Sequence, residues 1–161
     1  LLDVTAKSAV VIASLLILLT AGSAMAYYMT LQGVPQIVAN LMEGSTATGV
    51  LFSINVVFLL AGMFVDPNSA IIVLTPVFQP ITQALAIDPL HLGAVIVFNV
   101  AIGMMTPPFG LNLFVGVVTF KVPYLEIARS MLPFIGIAIV ALMLITYVPI
   151  LVTWLPQAVG L

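Results

Sequence analysis

The amino-acid sequence predicts an all-α integral membrane protein. Of its 161 residues, 63% are hydrophobic and only 5% are charged. A soluble domain carries roughly 25% charged residues, so three basic and five acidic side chains cannot cover a globular surface in water. The same composition excludes a disordered chain and, with so few basic residues, nucleic-acid binding. No ten-residue stretch alternates polar and apolar residues as a membrane β-barrel would, which favours helices.

The residue inventory also excludes several kinds of chemistry. With no cysteine, the chain can form no disulfide, thiolate metal site or iron–sulfur cluster. One histidine and few carboxylates leave little for a buried base, nucleophile or metal cluster, so we expect no enzyme and no cofactor. The sequence starts without Met, a basic n-region or a cleavage site. We therefore expect no signal peptide and a piece of a longer protein.

The first predicted membrane span is Ser8 to about Thr30. A spanning helix needs about 20 apolar residues, and this run is long enough. Tyr27 and Tyr28 stand near its end, where an interfacial aromatic belt would place them. Gly33 then breaks the helix.

Two short amphipathic segments adjoin the long apolar ones. Pro35–Glu43 has an apolar and a polar face and predicts a helix lying in the interface, although an ordinary loop also fits. Pro123–Met131 repeats the pattern before a last span from about Leu132 to Trp154. The sequence thus predicts two surface-lying helices, each beside a membrane helix.

The region between these spans is interrupted. A helical run over Thr46–Ala61 meets Gly62 and Pro67, and a second run covers Ser69–Ala86. Two topologies stay open: two full spans joined by a turn in water, or a re-entrant hairpin whose tip stops inside the membrane. The first run would be about 24 Å long as a helix, shorter than the ~30 Å hydrocarbon core, which slightly favours the hairpin.

A double proline interrupts the next apolar run, His91–Phe120. Pro107 and Pro108 remove two backbone donors, so the carbonyls of Gly103 and Met104 lose their helical partners. In a broken membrane helix such carbonyls commonly bind a cation, and the new helix N-terminus faces an anionic group. A kink satisfied by neighbouring helices is the alternative interpretation.

Polar side chains near the two interruptions are candidate ligands. Thr106 and Asn112 add oxygens at the double proline, and Asn99 lies two turns earlier. Asp66 is either a turn carboxylate in water or, inside the membrane, a functional group, because a buried charge there is costly. We predict that His91 is a plain interfacial residue.

The few charges also predict an orientation. Either topology of the interrupted region returns the chain to the same side, so Lys7, Lys121 and Arg129 share one side, which the positive-inside rule makes cytoplasmic. Glu43 and Asp88 fall on the other side. The rule therefore cannot choose between the hairpin and two full spans.

An ordered series of short motifs runs through the chain: Gly62-Met63-Phe64-Val65-Asp66, Leu74-Thr75-Pro76, Ile87-Asp88-Pro89-Leu90-His91 and Gly103 through Thr106-Pro107-Pro108-Phe109-Gly110-Leu111-Asn112. This series resembles the C-terminal half of the large membrane subunit of tripartite ATP-independent periplasmic (TRAP) transporters. The resemblance implies sodium-driven symport of organic acids, such as C4-dicarboxylates or sialic acids, by an elevator mechanism. It also implies a multi-pass protein of the bacterial or archaeal cytoplasmic (inner) membrane.

The partners implied by the resemblance are the N-terminal half of the same subunit, a small four-helix membrane subunit, a periplasmic substrate-binding protein and the lipid bilayer. The implied domains are a scaffold helix with an interfacial arm (1–45), a transport-domain half (46–120) and a second arm with a C-terminal scaffold helix (121–161). Within the middle part, the hairpin is 46–86 and the broken helix 91–120.

The resemblance places the hairpin tip opposite the double-proline break. The implied sodium ligands are Gly62, Asp66, Gly103 and Thr106. The implied substrate- and ion-binding set adds Met104, Pro107, Pro108, Gly110 and Asn112. The alternative is a pore-forming or ion-channel subunit that uses the same broken helices without coupling to a substrate.

Overall fold

The computed structural model describes Thr5, Ala9, Ala13, Thr20, Ala21, Ala24, Met25 and residues 27–159. Residues 27–31 are helical. The helices that follow are α1 (Val34–Leu41), α2 (Ala47–Phe64), α3 (Pro67–Ala84), α4 (Pro89–Gly103), α5 (Leu111–Phe120), α6 (Tyr124–Tyr147) and α7 (Ile150–Val159). The part of the chain that is described contains no strand, so the prediction of an all-helical fold is confirmed. Most of the predicted span from Ser8 to Thr30 lies outside the described residues.

Side-chain caps explain where the central helices begin. The Thr46 side chain accepts a hydrogen bond from the Gly49 N–H at 3.3 Å and caps α2. Asp66 accepts from the Ser69 N–H at 3.0 Å and caps α3, and Asp88 accepts from two N–H groups at the start of α4. In α3 and α4 a proline occupies the first helical position, where its missing N–H costs nothing.

The core lies between α2, α3 and α4. Its buried apolar residues come from all three helices: Val50, Ile54, Phe58, Ala70, Val77, Phe78, Ile81, Ile96 and Val100. A second, smaller cluster joins α4 to α6 through Ile102, Ile135 and Leu142. The C-terminal helix α6 therefore packs directly on the helix that precedes the double proline.

The outer face of α6 is apolar and exposed. Phe134, Ile137, Val140 and Leu144 recur at helical spacing, and Ile137 is 69% exposed. The opposite face buries Ile135. An apolar stripe of this kind suits a lipid environment. By length and composition, α2 and α6 can each cross a membrane.

Two predictions about helix boundaries are wrong. No break separates Pro123–Met131 from the last span, because α6 is continuous from Tyr124 to Tyr147 with Pro133 inside it. Pro133 lies in the third turn of the helix and leaves the helix intact. The predicted span to Trp154 instead ends at Tyr147, and α7 begins after Pro149.

The first arm of the interrupted region is longer than predicted. Helix α2 has 18 residues, which corresponds to about 27 Å, and α3 also has 18. A turn at Val65 and Asp66 joins them. The length argument for a re-entrant hairpin is therefore weaker than the sequence indicates.

Candidate functional site

Two glycines let α2 and α4 touch backbone to backbone. A Cβ atom built on Gly103 would lie 2.7 Å from the Cα of Gly62 and 2.8 Å from the carbonyl oxygen of Leu59. A Cβ on Gly62 would lie 3.0 Å from the carbonyl oxygen of Val100. Real Cβ atoms do not sit as close to backbone atoms as 2.7 Å, so only glycine fits at position 103 without a shift of the helices. The contact at Gly62 is tight, and a side chain there would require its neighbours to move by a few tenths of an ångström. The crossing brings the end of α2 against the end of α4, beside the double proline.

The turn after α2 contacts the segment after α4. The Gly110 N–H donates a hydrogen bond to the carbonyl of Met63 at 3.2 Å. The rings of Phe64 and Phe109 pack with their centroids 5.3 Å apart. A cavity of about 230 Å³ lies between the two segments, lined by Gly62, Met63, Phe64, Val65, Asp66, Phe109, Leu111 and Phe114. We call this contact region the tip–break junction.

The carbonyls that the double proline was predicted to free are both paired. The Thr106 N–H donates to the carbonyl of Gly103 at 3.0 Å, and the Asn112 N–H donates to the carbonyl of Met104 at 3.0 Å. Both carbonyls have lost their helical partners as predicted, since Pro107 and Pro108 have no N–H. Neither carbonyl is left free: a turn at Thr106 satisfies Gly103, and the chain that folds back after Pro108 satisfies Met104. Each carbonyl still has a second lone pair that can face a cation.

The carbonyl oxygens of the break converge on Gly110. A Cβ atom at this position would lie 2.8 Å from the carbonyl oxygen of Thr106 and 3.0 Å from that of Met104. Gly110 also has φ +35°, a conformation that side chains disfavour. The peptide bond between Pro107 and Pro108 is cis. The break is thus a compact turn with carbonyl oxygens close together.

The predicted polar ligands differ in their surroundings. The Thr106 hydroxyl donates to the carbonyl of Ile102 at 2.6 Å, and its oxygen keeps lone pairs that can accept. Asp66 is half-buried; it caps α3 and lines the junction cavity. The side chain of Asn112 is exposed, and this residue contributes to the break through its backbone N–H.

A buried polar network connects α2, α4 and α6, and its importance was missed in the sequence. The Asn99 amide N–H groups donate to Asn55 Oδ1 at 2.7 Å and to the Val95 carbonyl at 2.8 Å. Asn55 Nδ2 donates to the Thr146 hydroxyl at 3.0 Å. Asn99 is 0% exposed, and its Oδ1 has no partner. Asn55 is the one polar side chain between Ile54 and Val65. A lone polar residue in an apolar helix was the signal in the sequence that could have predicted this network.

The prediction that His91 is a plain interfacial residue is wrong. Its side chain is only 2% exposed, and its Nε2 atom lies 2.9 Å from the carbonyl oxygen of Ile145. Asp88 and Pro89 correctly indicated the start of α4. They do not show that α6 covers the first turn of that helix.

The structure brings together part of the predicted site. Gly62 contacts Gly103, and the Gly110 N–H donates to the carbonyl of Met63. Asp66 lines the neighbouring cavity together with Phe109 and Leu111. The backbone carbonyls of Met104 and Thr106 lie in the turn of the break, which also contains Pro107 and Pro108. The Asn112 side chain does not join them.

The sequence matches the family model described as "Tripartite ATP-independent periplasmic transporter, DctM component" over residues 1–151. The chain belongs to the DctM family. The resemblance to the large membrane subunit of TRAP transporters is thereby confirmed. Family members are membrane proteins that act as transporters rather than enzymes.

Curated relatives agree with this family. The C4-dicarboxylate TRAP transporter large permease protein DctM of Pseudomonas aeruginosa is 38% identical over 84% of this chain and 32% of its own length. The protein of the same name from Vibrio cholerae is 37% identical over 81% of this chain and 29% of its own. The ectoine TRAP transporter large permease protein TeaC of Halomonas elongata is 37% identical over 89% and 34%.

The chain spans about a third of the length of these relatives. No solved structure matches it.

Proposed function

We propose that this chain is the C-terminal part of the large membrane subunit of a sodium-coupled importer of organic acids, and that the tip–break junction belongs to its ion and substrate site. Membership of the DctM family supports transport, and two of the most similar relatives carry C4-dicarboxylate in their names. We take a C4-dicarboxylate as the first substrate to test. The observation that carries the proposal is the direct contact between Gly62 and Gly103. This contact brings the end of α2 against the end of α4, where backbone carbonyl oxygens are available as ligands.

The junction has the chemistry that a sodium ion requires. Sodium is a hard cation and prefers oxygen ligands. The Asp66 carboxylate, the Thr106 hydroxyl and the carbonyls of Gly62 and Gly103 supply them. No lysine or arginine lies within the described parts of α2 to α5, so an anionic substrate here would be bound by helix N-termini, hydroxyls and the sodium ion itself.

We further propose that α2 and α3 form a re-entrant hairpin that moves with the broken helix in an elevator cycle. The contact between the α2–α3 turn and the break supports this, because a turn that projected into cytoplasmic water would not be expected to pack on the interruption of a predicted membrane helix. The proposed transporter in the cytoplasmic membrane also contains the N-terminal remainder of this subunit, the small four-helix subunit and the periplasmic binding protein.

The hairpin is tested by labelling. With the full-length transporter facing outward, a cysteine at Met63 or Val65 is expected to resist an impermeant thiol reagent added from the cytoplasmic side. A cysteine at Lys121, on the predicted cytoplasmic side, is the matched control and should label. Strong labelling of Met63→Cys and Val65→Cys under the same condition would support two full spans instead.

Transport itself is tested in proteoliposomes that contain the complete transporter. Uptake of a labelled C4-dicarboxylate should require both an inward sodium gradient and the loaded binding protein. An uncoupled channel would pass current without either. Uptake that persists without sodium would contradict the proposed coupling.

A further inference from the structure

The carbonyl of Pro108 has an unusual hydrogen-bond partner. In a continuous helix it would accept from the N–H of Asn112, four residues later. Here the Asn112 N–H donates to the carbonyl of Met104, so it is not available to Pro108. The Tyr124 hydroxyl takes its place and donates to the Pro108 carbonyl at 2.7 Å. A side chain 16 residues further along the chain thus satisfies a backbone group of the break.

Tyr124 is placed for this contact by the turn that precedes it. Helix α5 ends at Phe120, and the next residue, Lys121, caps it in a left-handed conformation with φ +54° before the chain turns into α6. Tyr124 is the first residue of α6. Its ring packs on Phe114 of α5, with the centroids 5.3 Å apart. The same side chain therefore contacts the break, α5 and the start of α6.

We propose that Tyr124 is a positioning residue that holds the broken helix in its folded-back conformation. With the Pro108 carbonyl anchored, the chain stays in the turn that brings the carbonyls of Met104 and Thr106 onto Gly110. The bond lies at an exposed position. Where this surface faces lipid, no water offers a replacement donor, so loss of the hydroxyl would leave the carbonyl unpaired and favour another backbone arrangement. The expected effect of Tyr124 on sodium binding rests on the proposed function. Its expected effect on the backbone conformation of the break does not.

The first test is hydrogen exchange of the full-length transporter in lipid nanodiscs. Tyr124→Phe keeps the ring on Phe114 and removes only the hydroxyl. Amides of residues 110–113, which include donors to Met63 and Met104, should exchange roughly tenfold faster, the effect of losing one hydrogen bond. Tyr28→Phe is the matched control, because the Tyr28 hydroxyl also makes a hydrogen bond, from Gln32 Nε2 at 2.9 Å, at an exposed position.

Unchanged exchange at 110–113 in Tyr124→Phe would overturn the proposal, whatever the transport data show. Faster exchange in both tyrosine variants would also overturn it, because the effect would not be specific to the break.

The second test is the sodium concentration for half-maximal uptake. Tyr124→Phe should raise it about 5- to 30-fold, and Tyr28→Phe should leave it unchanged. A merely stabilising role would lower the melting temperature without this shift. If Thr106→Val raises the sodium requirement and Tyr124→Phe does not, the role of Tyr124 at the ion site is refuted and the proposed function stands. If neither variant shifts it, the proposed ion site fails, and exchange alone decides whether Tyr124 holds the break.

Discussion

The Gly103→Ala variant of the full-length subunit is expected to lose much of its stability and its transport. The added methyl carbon would lie 2.7 Å from Gly62 and 2.8 Å from the Leu59 carbonyl, and both contacts are with backbone atoms. No rotamer change relieves them, so α2 and α4 must separate. Overpacking typically costs about 1–3 kcal/mol, and we expect the upper end because backbone meets backbone.

The matched control is Gly93→Ala, on the same helix. A Cβ built at Gly93 meets nothing within 4 Å. Alanine is also the better helix former by about 1 kcal/mol, so this variant should be as stable as the parent or more so. Thermal unfolding in a constant lipid or detergent environment compares the two. Equal melting temperatures for Gly103→Ala and Gly93→Ala would refute the close crossing of α2 and α4.

Local signals in the sequence predicted the positions of the interruptions well. Asp66-Pro67 and Asp88-Pro89 combine a capping carboxylate with a proline at the first helical position, and α3 and α4 begin there. The double proline likewise marks the end of α4. These signals act within a few residues, so they can be read without knowledge of the fold.

Long-range contacts could not be predicted in the same way. Asn112 pairs with the Met104 carbonyl because the chain folds back after Pro108. The double proline predicts a break at this point, but not which donor the fold brings to each carbonyl. The burial of His91 depends on α6, more than 50 residues away in sequence. The placement of the tip opposite the break came from the family resemblance and not from the residues alone.

The predicted boundary at residue 121, between the transport-domain half and the C-terminal scaffold part, stays a prediction. The buried polar network crosses this boundary, because Asn55 and Asn99 would belong to the moving transport domain and Thr146 to the fixed scaffold. Their contact is a buried hydrogen bond of 3.0 Å between Asn55 and Thr146. If α6 were fixed while α2 moved, this bond would have to break in every cycle and leave buried polar atoms unpaired.

The second large expected effect concerns the two side-chain oxygens of the proposed ion site. Thr106→Val keeps the side-chain volume and removes the hydroxyl. Asp66→Asn removes the charge but keeps a good helix cap for α3, since asparagine caps as well as aspartate. Losing one oxygen ligand costs about 1–3 kcal/mol, so each variant should weaken sodium binding about 5- to 150-fold.

Two further variants separate ion binding from folding. Thr106→Ser restores the hydroxyl and should restore most of the sodium affinity. Asn40→Ala, at an exposed position on α1, is far from the junction in sequence and should change nothing.

The sodium dependence of uptake in these variants tests the central claim most directly. In the complete transporter with saturating loaded binding protein, Thr106→Val and Asp66→Asn should each require a higher sodium concentration for half-maximal uptake than the parent, Thr106→Ser or Asn40→Ala. Uptake in both Thr106→Val and Asp66→Asn with the sodium dependence of the parent would contradict an ion site at the tip–break junction.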